Sequence, residues 1–223
     1  MVIGWGGAAL LAWPAAQPTA PVSERDATQA LRLALQRLSA TALQELARPD
    51  GFFGDAEVRI GLPTALAQAE RFLRAVGRGA QVDSLLLAMN RAAEATIGGI
   101  ADTAHALARN LTLVDALQIL RGGSTACTDW FSLRARSPLV DRLLPGVRQA
   151  VAGVEAAALY NRLAAPAARE GLLPADQASV EQWVTTRALD GLFVAMARRE
   201  RQWRDNPAVA GEALLKRVFG LLR

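Results

Sequence analysis

The sequence predicts an all-α fold, a single-domain multi-helix bundle with an ordered aromatic loop between its first two helices. Hydrophobic residues make up 52% of the 223-residue chain, and Ala and Leu dominate them, as is typical of folded helical proteins. Aromatic residues contribute only 5%, and β-branched runs that would favour sheets are few. Apolar residues recur at helical spacing between recognisable start and stop signals.

Residues 1–22 are predicted to be a signal peptide or an apolar N-terminal segment, and residues 23–223 a single all-helical domain. An uncharged apolar run over residues 2–13 ends at Pro14 and is followed by small residues and prolines. The run is too short to span a membrane and has the length of a signal-peptide core, although no basic residue precedes it. We therefore expect a periplasmic or otherwise exported protein, with the cytoplasm as the alternative.

The first four helices follow from capping and stop signals. The pattern Ser23-x-x-Asp26 opens a helix that is predicted to continue to about residue 47. Pro63 suits the first turn of a second helix, which ends at Gly77. A third helix carries apolar residues at helical spacing to the next pair of glycines, and a fourth covers about residues 101–110.

The middle of the chain is divided by two prolines. The pattern Thr112-x-x-Asp115 is a capping box that opens a fifth helix. Pro138 and Pro145 are then predicted to begin new helices, because proline in a helix interior removes a hydrogen bond and clashes with the preceding turn. The last of these helices is expected to continue to about residue 163.

The C-terminal part is predicted to hold two more helices. Residues 164–178 are rich in small residues and prolines and are interpreted as an irregular connection. The pattern Ser179-x-x-Gln182 caps a long helix to about residue 204, and Asn206-Pro207 begins the last one. No internal repeat and no linker divides the chain.

Charge and composition exclude several kinds of site. The formal net charge is +4, which is small for this length and does not by itself indicate a nucleic-acid partner. Cys127 and His105 are the only residues of their types, so neither an intramolecular disulfide nor a Cys/His zinc site can form. We interpret His105 as an ordinary helix histidine and Cys127 as a small buried apolar residue. We predict no metal, no cofactor and no catalytic residue.

The stretch LARPDGFFGDAEVRIGLP interrupts the helical pattern. Pro49-Asp50-Gly51 is a turn signal, and Phe52 and Phe53 are large apolar groups in a predicted loop. We interpret the segment as a loop that its aromatic residues fix to the helices, with Asp50 and Arg59 among the residues that bond backbone groups. A binding loop on a rigid scaffold is the functional alternative.

Two helical stretches carry carboxylates that could have a function. Asp83, Asn90 and Glu94 share one helix face, which we interpret as solvated or paired with Arg91 and neighbouring helices, with cation binding or acid–base chemistry as the alternative. Asp190 lies between apolar residues, so a partner is required for its charge; Arg187 and the distant Arg59 are the candidates.

Two further patterns are noted in the last long helix. Gly191 within a helix indicates close approach by another element. The arginines of ARRERQWRDNP are interpreted as the solvated end of the helix, with acidic lipid or nucleic acid as alternative ligands.

Several motifs together resemble one bacterial family. LARPDGFFGDAEVRIGLP, MNRAAEA, TLVDALQILRGG, TDWF, WVTTRALDGLFVAMA, RDNPA and LLKRVFG follow one another between Ala27 and Gly220. Together they resemble the family called domain of unknown function 4197. The resemblance implies an all-helical protein, often with an export signal, and it implies no activity and no catalytic residues. Trp130 and Trp183 depart from the family pattern, which has tyrosine there.

The expected function is non-catalytic binding of an apolar small molecule or an envelope partner by an exported protein without a transmembrane span. The sequence does not predict an oligomeric state. One alternative is a carboxylate-dependent enzyme acting on an anionic substrate, with Arg59 binding that substrate. Another is nucleic-acid or acidic-lipid binding through the C-terminal arginines. The candidate ligand-binding residues are Asp50, Phe52, Phe53, Arg59, Asn90, Glu94, Trp130 and Asp190.

Overall fold

The computed structural model describes residues 23–220, which form an all-α fold without strands in that part of the chain. The predicted signal segment, residues 1–22, lies outside the described residues. Nine α-helices occur in the described range: α1 Glu24–Leu46, α2 Ala67–Ala75, α3 Gly79–Thr96, α4 Ala101–Arg109, α5 Leu113–Arg121, α6 Ala126–Val151, α7 Glu155–Arg169, α8 Val180–Asp205 and α9 Ala213–Gly220.

Three predicted helix starts are confirmed by their cap geometry. The side chains of Ser23, Thr112 and Ser179 each accept a hydrogen bond from the backbone N–H three residues later, at the starts of α1, α5 and α8. Such caps satisfy backbone donors that have no partner within the helix. The predicted start at Asn206 is wrong for the last helix: a short 3-10 turn, Pro207–Ala210, comes first and α9 follows.

The predicted divisions at Pro138 and Pro145 are wrong, because both residues lie inside the continuous helix α6. One face of α6 buries Ala135, Leu139 and Leu143, spaced by four residues, and this burial outweighs the local cost of the prolines. α7 likewise continues through Pro166, so the first part of the predicted irregular connection is helical.

The core forms around α1, which packs against α4, α5, α8 and α9. Its residues Leu31, Leu35 and Leu38 are completely buried. α6 and α8, both 26 residues long, pack along each other. In the described range, no helix is both long enough and apolar enough to cross a membrane.

Candidate functional site

Residues 47–63, here called the aromatic loop, connect α1 to the short turn before α2 in a series of tight turns. Asp50 has a φ of 63°, the left-handed conformation that Asp tolerates better than most residues. A Cβ on Gly51 would lie 2.5 Å from the carbonyl oxygen of Leu46, so only glycine fits there. The Pro-Asp-Gly sequence therefore matches the turn it forms.

Glu94 of α3 binds the aromatic loop through its backbone. Its Oε1 accepts hydrogen bonds from the N–H groups of Phe52 and Phe53, each at 3.1 Å. Its Oε2 pairs with Arg91, which also pairs with Asp50 at 2.7 Å. Glu94 is only 5% exposed, so the carboxylate serves as the partner of two loop amides that no helix or strand satisfies.

Asn90 binds the other end of the aromatic loop, one helical turn from Glu94. Its Oδ1 accepts from the N–H of Ile60 and its Nδ2 donates to the carbonyl of Ile60, both at 2.9 Å. Nδ2 also donates to the carbonyl of Leu86 at 2.8 Å. Neither Asn90 nor Glu94 is solvated, because both are buried against the loop, while the predicted pairing with Arg91 is confirmed for Glu94.

α8 holds the opposite side of the aromatic loop. A Cβ on Gly191 would lie 2.7 Å from the ring of Phe52 and 3.3 Å from Val58, which confirms the predicted close approach. The indole Nε1 of Trp183 donates to the carbonyl of Gly61 at 2.8 Å. The loop is thus fixed by one helix on each side, α3 and α8.

Charged residues along the loop also pair within the protein. Arg198 of α8 contacts Asp55 at 2.9 Å and Glu57 at 3.3 Å. The backbone N–H of Glu57 donates to Asp55 and holds the pKa of this carboxyl below its ordinary value. The ion pair with Arg198 lowers this pKa further. Arg59 donates from Nε to the carbonyl of Phe53 at 2.6 Å and lies over that ring, 5.1 Å from its centroid.

Asp190 lies in a separate ion pair between α6 and α8. It pairs with Arg136 at 2.7 Å and with Arg187, which confirms the local candidate from the sequence. The long-range candidate, Arg59, was wrong, because it bonds the loop backbone instead. The side chain of Asp190 is 28% exposed, so it is less buried than its apolar neighbours suggest.

Trp130 lies elsewhere on α6, beneath Arg134, whose guanidinium is 4.8 Å from the ring centroid. Arg134 pairs with Asp115 at 2.9 Å. Burial raises the pKa of Asp115, but hydrogen bonds from the hydroxyl and N–H of Thr112 outweigh it, so the pKa falls below its ordinary value. A groove of about 450 Å³ that is open to solvent lies beside these residues.

The structure therefore divides the eight candidate residues into two places. Six meet at the aromatic loop: Asp50, Phe52, Phe53, Arg59, Asn90 and Glu94. Trp130 and Asp190 lie on the α6–α8 side. Within residues 23–220, no three His, Cys, Asp or Glu side chains are grouped so that they could hold a metal ion.

Glu200 of α8 is a completely buried carboxylate that sequence reasoning missed. It accepts from the N–H groups of Cys127 and Thr128, at 3.0 and 2.8 Å, and from the Thr128 hydroxyl at 2.8 Å. Arg204, itself only 6% exposed, pairs with it at 2.8 Å. Glu200 thus caps the first turn of α6, because the hydroxyl of the N-cap residue, Thr125, accepts no hydrogen bond from a backbone N–H of that turn.

The interpretation of the C-terminal arginines as a solvated helix end is wrong for most of them. Arg198 and Arg199 pair with Asp55 and Glu45 respectively, and Arg204 is buried on Glu200. The sequence did hold one useful signal for this pair: Glu200 and Arg204 are four residues apart, the spacing at which two side chains of one helix can pair.

Comparison with known proteins gives a family and no activity. A family model described as "Protein of unknown function (DUF4197)" matches residues 21–220. No curated protein and no solved structure matches the chain.

Proposed function

The chain belongs to the DUF4197 family of proteins of unknown function, and within it we propose an exported, non-catalytic protein that binds an acidic segment of a protein partner in the cell envelope. The proposed binding surface, the arginine–aromatic face, lies on α6 and α8. It consists of Arg134, Arg136, Arg187, Trp130, Trp183, Phe193 and the exposed Leu133.

The observation that carries the proposal is the stacking of three arginines on aromatic rings. Their guanidinium carbons lie 4.8 Å (Arg134), 5.1 Å (Arg136) and 4.8 Å (Arg187) from the ring centroids of Trp130, Phe193 and Trp183 respectively. Each guanidinium-bearing side chain is more than 40% exposed, whereas the rings beneath are almost fully buried.

Stacking favours recognition of carboxylates by these arginines. A guanidinium held over a ring and in an ion pair has already lost part of its rotational freedom, so less entropy is lost when a partner binds. Arg134 contacts Asp115, and Arg136 and Arg187 share Asp190, in each case through one terminal nitrogen, Nη2. Since a guanidinium has five N–H donors, donors remain for a partner.

Leu133 adds an apolar contact to the face. It is 81% exposed, the highest value among the large apolar residues of the described chain. Helical spacing places it between Arg134 and Arg136 on the surface of α6. Arginine and aromatic residues around an apolar centre are the composition enriched in protein interfaces.

The contacts favour this proposal over the other hypotheses. Four surface grooves of 330 to 480 Å³ are open and have polar residues in their linings, which suits an apolar small molecule poorly. Glu94 is committed to backbone N–H groups and Asp190 to arginines, which leaves the enzyme hypothesis without a free carboxylate at either residue. The C-terminal arginines Arg198, Arg199 and Arg204 are likewise paired internally.

Photo-crosslinking in the native host tests the face directly. A photoreactive amino acid at position 133 is expected to give one discrete crosslinked species, because a partner covers Leu133. Arg136→Glu together with Arg187→Glu is expected to remove it, whereas Arg25→Glu together with Arg121→Glu, with the same charge change at exposed arginines elsewhere, leaves it intact.

Two results would contradict the proposal. One is no crosslink at position 133, and the other is a crosslink that charge reversal of the face does not affect. Export is tested separately by the intact mass of the protein from its host, which we expect to lack about the first 20 residues. A full-length mass would contradict removal of a signal peptide and leave the face to be tested against cytoplasmic partners as well.

A further inference from the structure

α2 is a helix without a buried residue. Of its nine residues none is classed as buried, and Phe72 is 66% exposed. Val76, which follows α2 as its C-cap, is 52% exposed. Four-residue spacing places these two apolar side chains on one face of the helix turn. Globular helices normally turn such a face to the core.

The opposite side of α2, on which Ala69, Glu70 and Leu73 are half-buried, faces the protein. Arg74 pairs with Glu70 within the helix at 3.0 Å and with Asp83 of α3 at 2.9 Å. α2 packs against α3 and the short turn before it. α2 therefore covers only part of its inner side, and the apolar residues of its outer side remain open to solvent.

Unpaired cations flank the apolar face. Arg71 and Arg78 are exposed, and neither has an ion pair with another described residue. Arg71 immediately precedes Phe72, and Arg78 follows Val76 by two residues. This segment thus offers positive charge and exposed apolar groups together, the combination that binds anionic membrane surfaces.

We infer that α2 is an interfacial helix that rests on an anionic lipid surface, with Phe72 and Val76 inserted between headgroups. A protein partner is less suited to this face, because a stable interface buries about 800 Å² on each side and a helix of this length is only about 14 Å long. Lipid insertion requires only a few apolar side chains. The inference does not depend on the arginine–aromatic face, which lies on other helices.

Site-specific fluorescence on the full chain tests the inference. Val76→Cys is labelled with bimane and mixed with vesicles of phosphatidylglycerol and phosphatidylethanolamine, or of phosphatidylcholine alone. The matched control is Val209→Cys, since Val209 is 57% exposed and lies on the 3-10 turn before α9. The native thiol of Cys127 is completely buried, so labelling is directed to the introduced cysteine.

The expected result is a blue shift of the residue-76 label on the anionic vesicles only, with no shift of the residue-209 label. Charge reversal sharpens the test. Arg71→Glu with Arg78→Glu is expected to weaken binding to anionic vesicles by more than about tenfold. Arg25→Glu with Arg121→Glu, at the same net charge, is expected to change it by less than about threefold.

Other outcomes overturn the inference. No shift at residue 76, or equal shifts at residues 76 and 209, would show that α2 is not the inserted element. A shift without vesicles that grows with protein concentration would show that a second copy of the chain covers the face instead.

Discussion

Glu94 and Glu200 are two buried glutamates that perform the same task at different places. Each accepts hydrogen bonds from two consecutive backbone N–H groups that are distant in sequence. Each also pairs with an arginine of its own helix. Glu94 fixes a loop, whereas Glu200 caps a helix.

The two sites differ in how the carboxylate oxygens are used. On Glu94 one oxygen accepts from both amides and the other faces Arg91, which is 44% exposed. On Glu200 both oxygens accept from buried N–H groups, and Arg204 is buried as well. Glu94 can lose its charge with little rearrangement, because its partner Arg91 is exposed. If Glu200 loses its charge, Arg204 is left as a buried charge without a partner, which is costly.

The comparison shows that a buried carboxylate in a helical protein need not indicate catalysis. Backbone N–H groups at a loop or a helix start lack partners of their own, and a distant glutamate supplies one. The same physical requirement explains both positions, although only one of them lies beside aromatic residues that suggested a ligand site.

The largest effect is expected from replacing Glu200. Glu200→Ala leaves Arg204 as a buried unpaired charge and should lower the free energy of unfolding by about 3–5 kcal/mol. Glu200→Gln should be nearly as harmful, because an NH₂ group then faces a backbone donor. Urea denaturation measures both, and Glu212→Ala, at an exposed ion pair, is the control with less than about 1 kcal/mol. A mild Glu200→Gln variant would contradict the assigned geometry.

Glu94 should give a smaller loss and a clear separation between its two variants. Glu94→Ala removes the partner of the Phe52 and Phe53 amides and should cost about 2–3 kcal/mol. Glu94→Gln keeps an acceptor oxygen for both amides, while the exposed Arg91 can turn to solvent, so we expect a loss of at most about 1 kcal/mol. Equal losses for the two variants in the same denaturation assay would show that the charge, and not the acceptor, fixes the loop.

Gly191 tests the α8 side of the aromatic loop. Gly191→Ala places a methyl group against the Phe52 ring and should cost about 1–3 kcal/mol through overpacking. Phe52→Leu in the same chain provides space, so the double variant should lose less stability than the sum of the two single changes. Additive losses in thermal or urea unfolding would mean that the ring is not the obstacle.

The smallest effect is expected at Asp115, because its carboxylate accepts from a local donor, the N–H of the N-cap residue Thr112 three positions earlier in the chain. Its pKa lies below the ordinary value of 3.8, so its stabilisation is complete above about pH 4 and is lost as the pH falls through the lowered pKa. Asp115→Asn should therefore cost about 1 kcal/mol at pH 7 and less near pH 3. If the stability difference between wild type and Asp115→Asn grew on acidification, the pKa of Asp115 would be raised and not lowered.

Local signals predicted much of the fold, and long-range partners account for what they missed. Ser23, Thr112 and Ser179 were recognised as caps because donor and acceptor lie three residues apart. Glu200 was missed because the amides it caps lie more than 70 residues away. Pro138 was misread because the burial that overrides its local cost depends on packing between helices.

In the candidate site, too, local features could be predicted and long-range contacts could not. The Pro-Asp-Gly turn and the close approach at Gly191 are visible in the sequence. That Asn90 would bond both backbone groups of Ile60 depends on how α3 meets the aromatic loop. Spacing along one helix shows which residues share a face, but it does not show what that face contacts.

Amide hydrogen exchange at Phe52 and Phe53 tests most directly whether Glu94 fixes the aromatic loop. Loop amides ordinarily exchange fast because they are open to water. In the wild-type protein we expect these two amides to be protected nearly as strongly as those of α3, and in Glu94→Ala to exchange at least about a hundredfold faster, while Glu94→Gln retains most of the protection. Fast exchange at both amides in the wild-type protein would contradict the account.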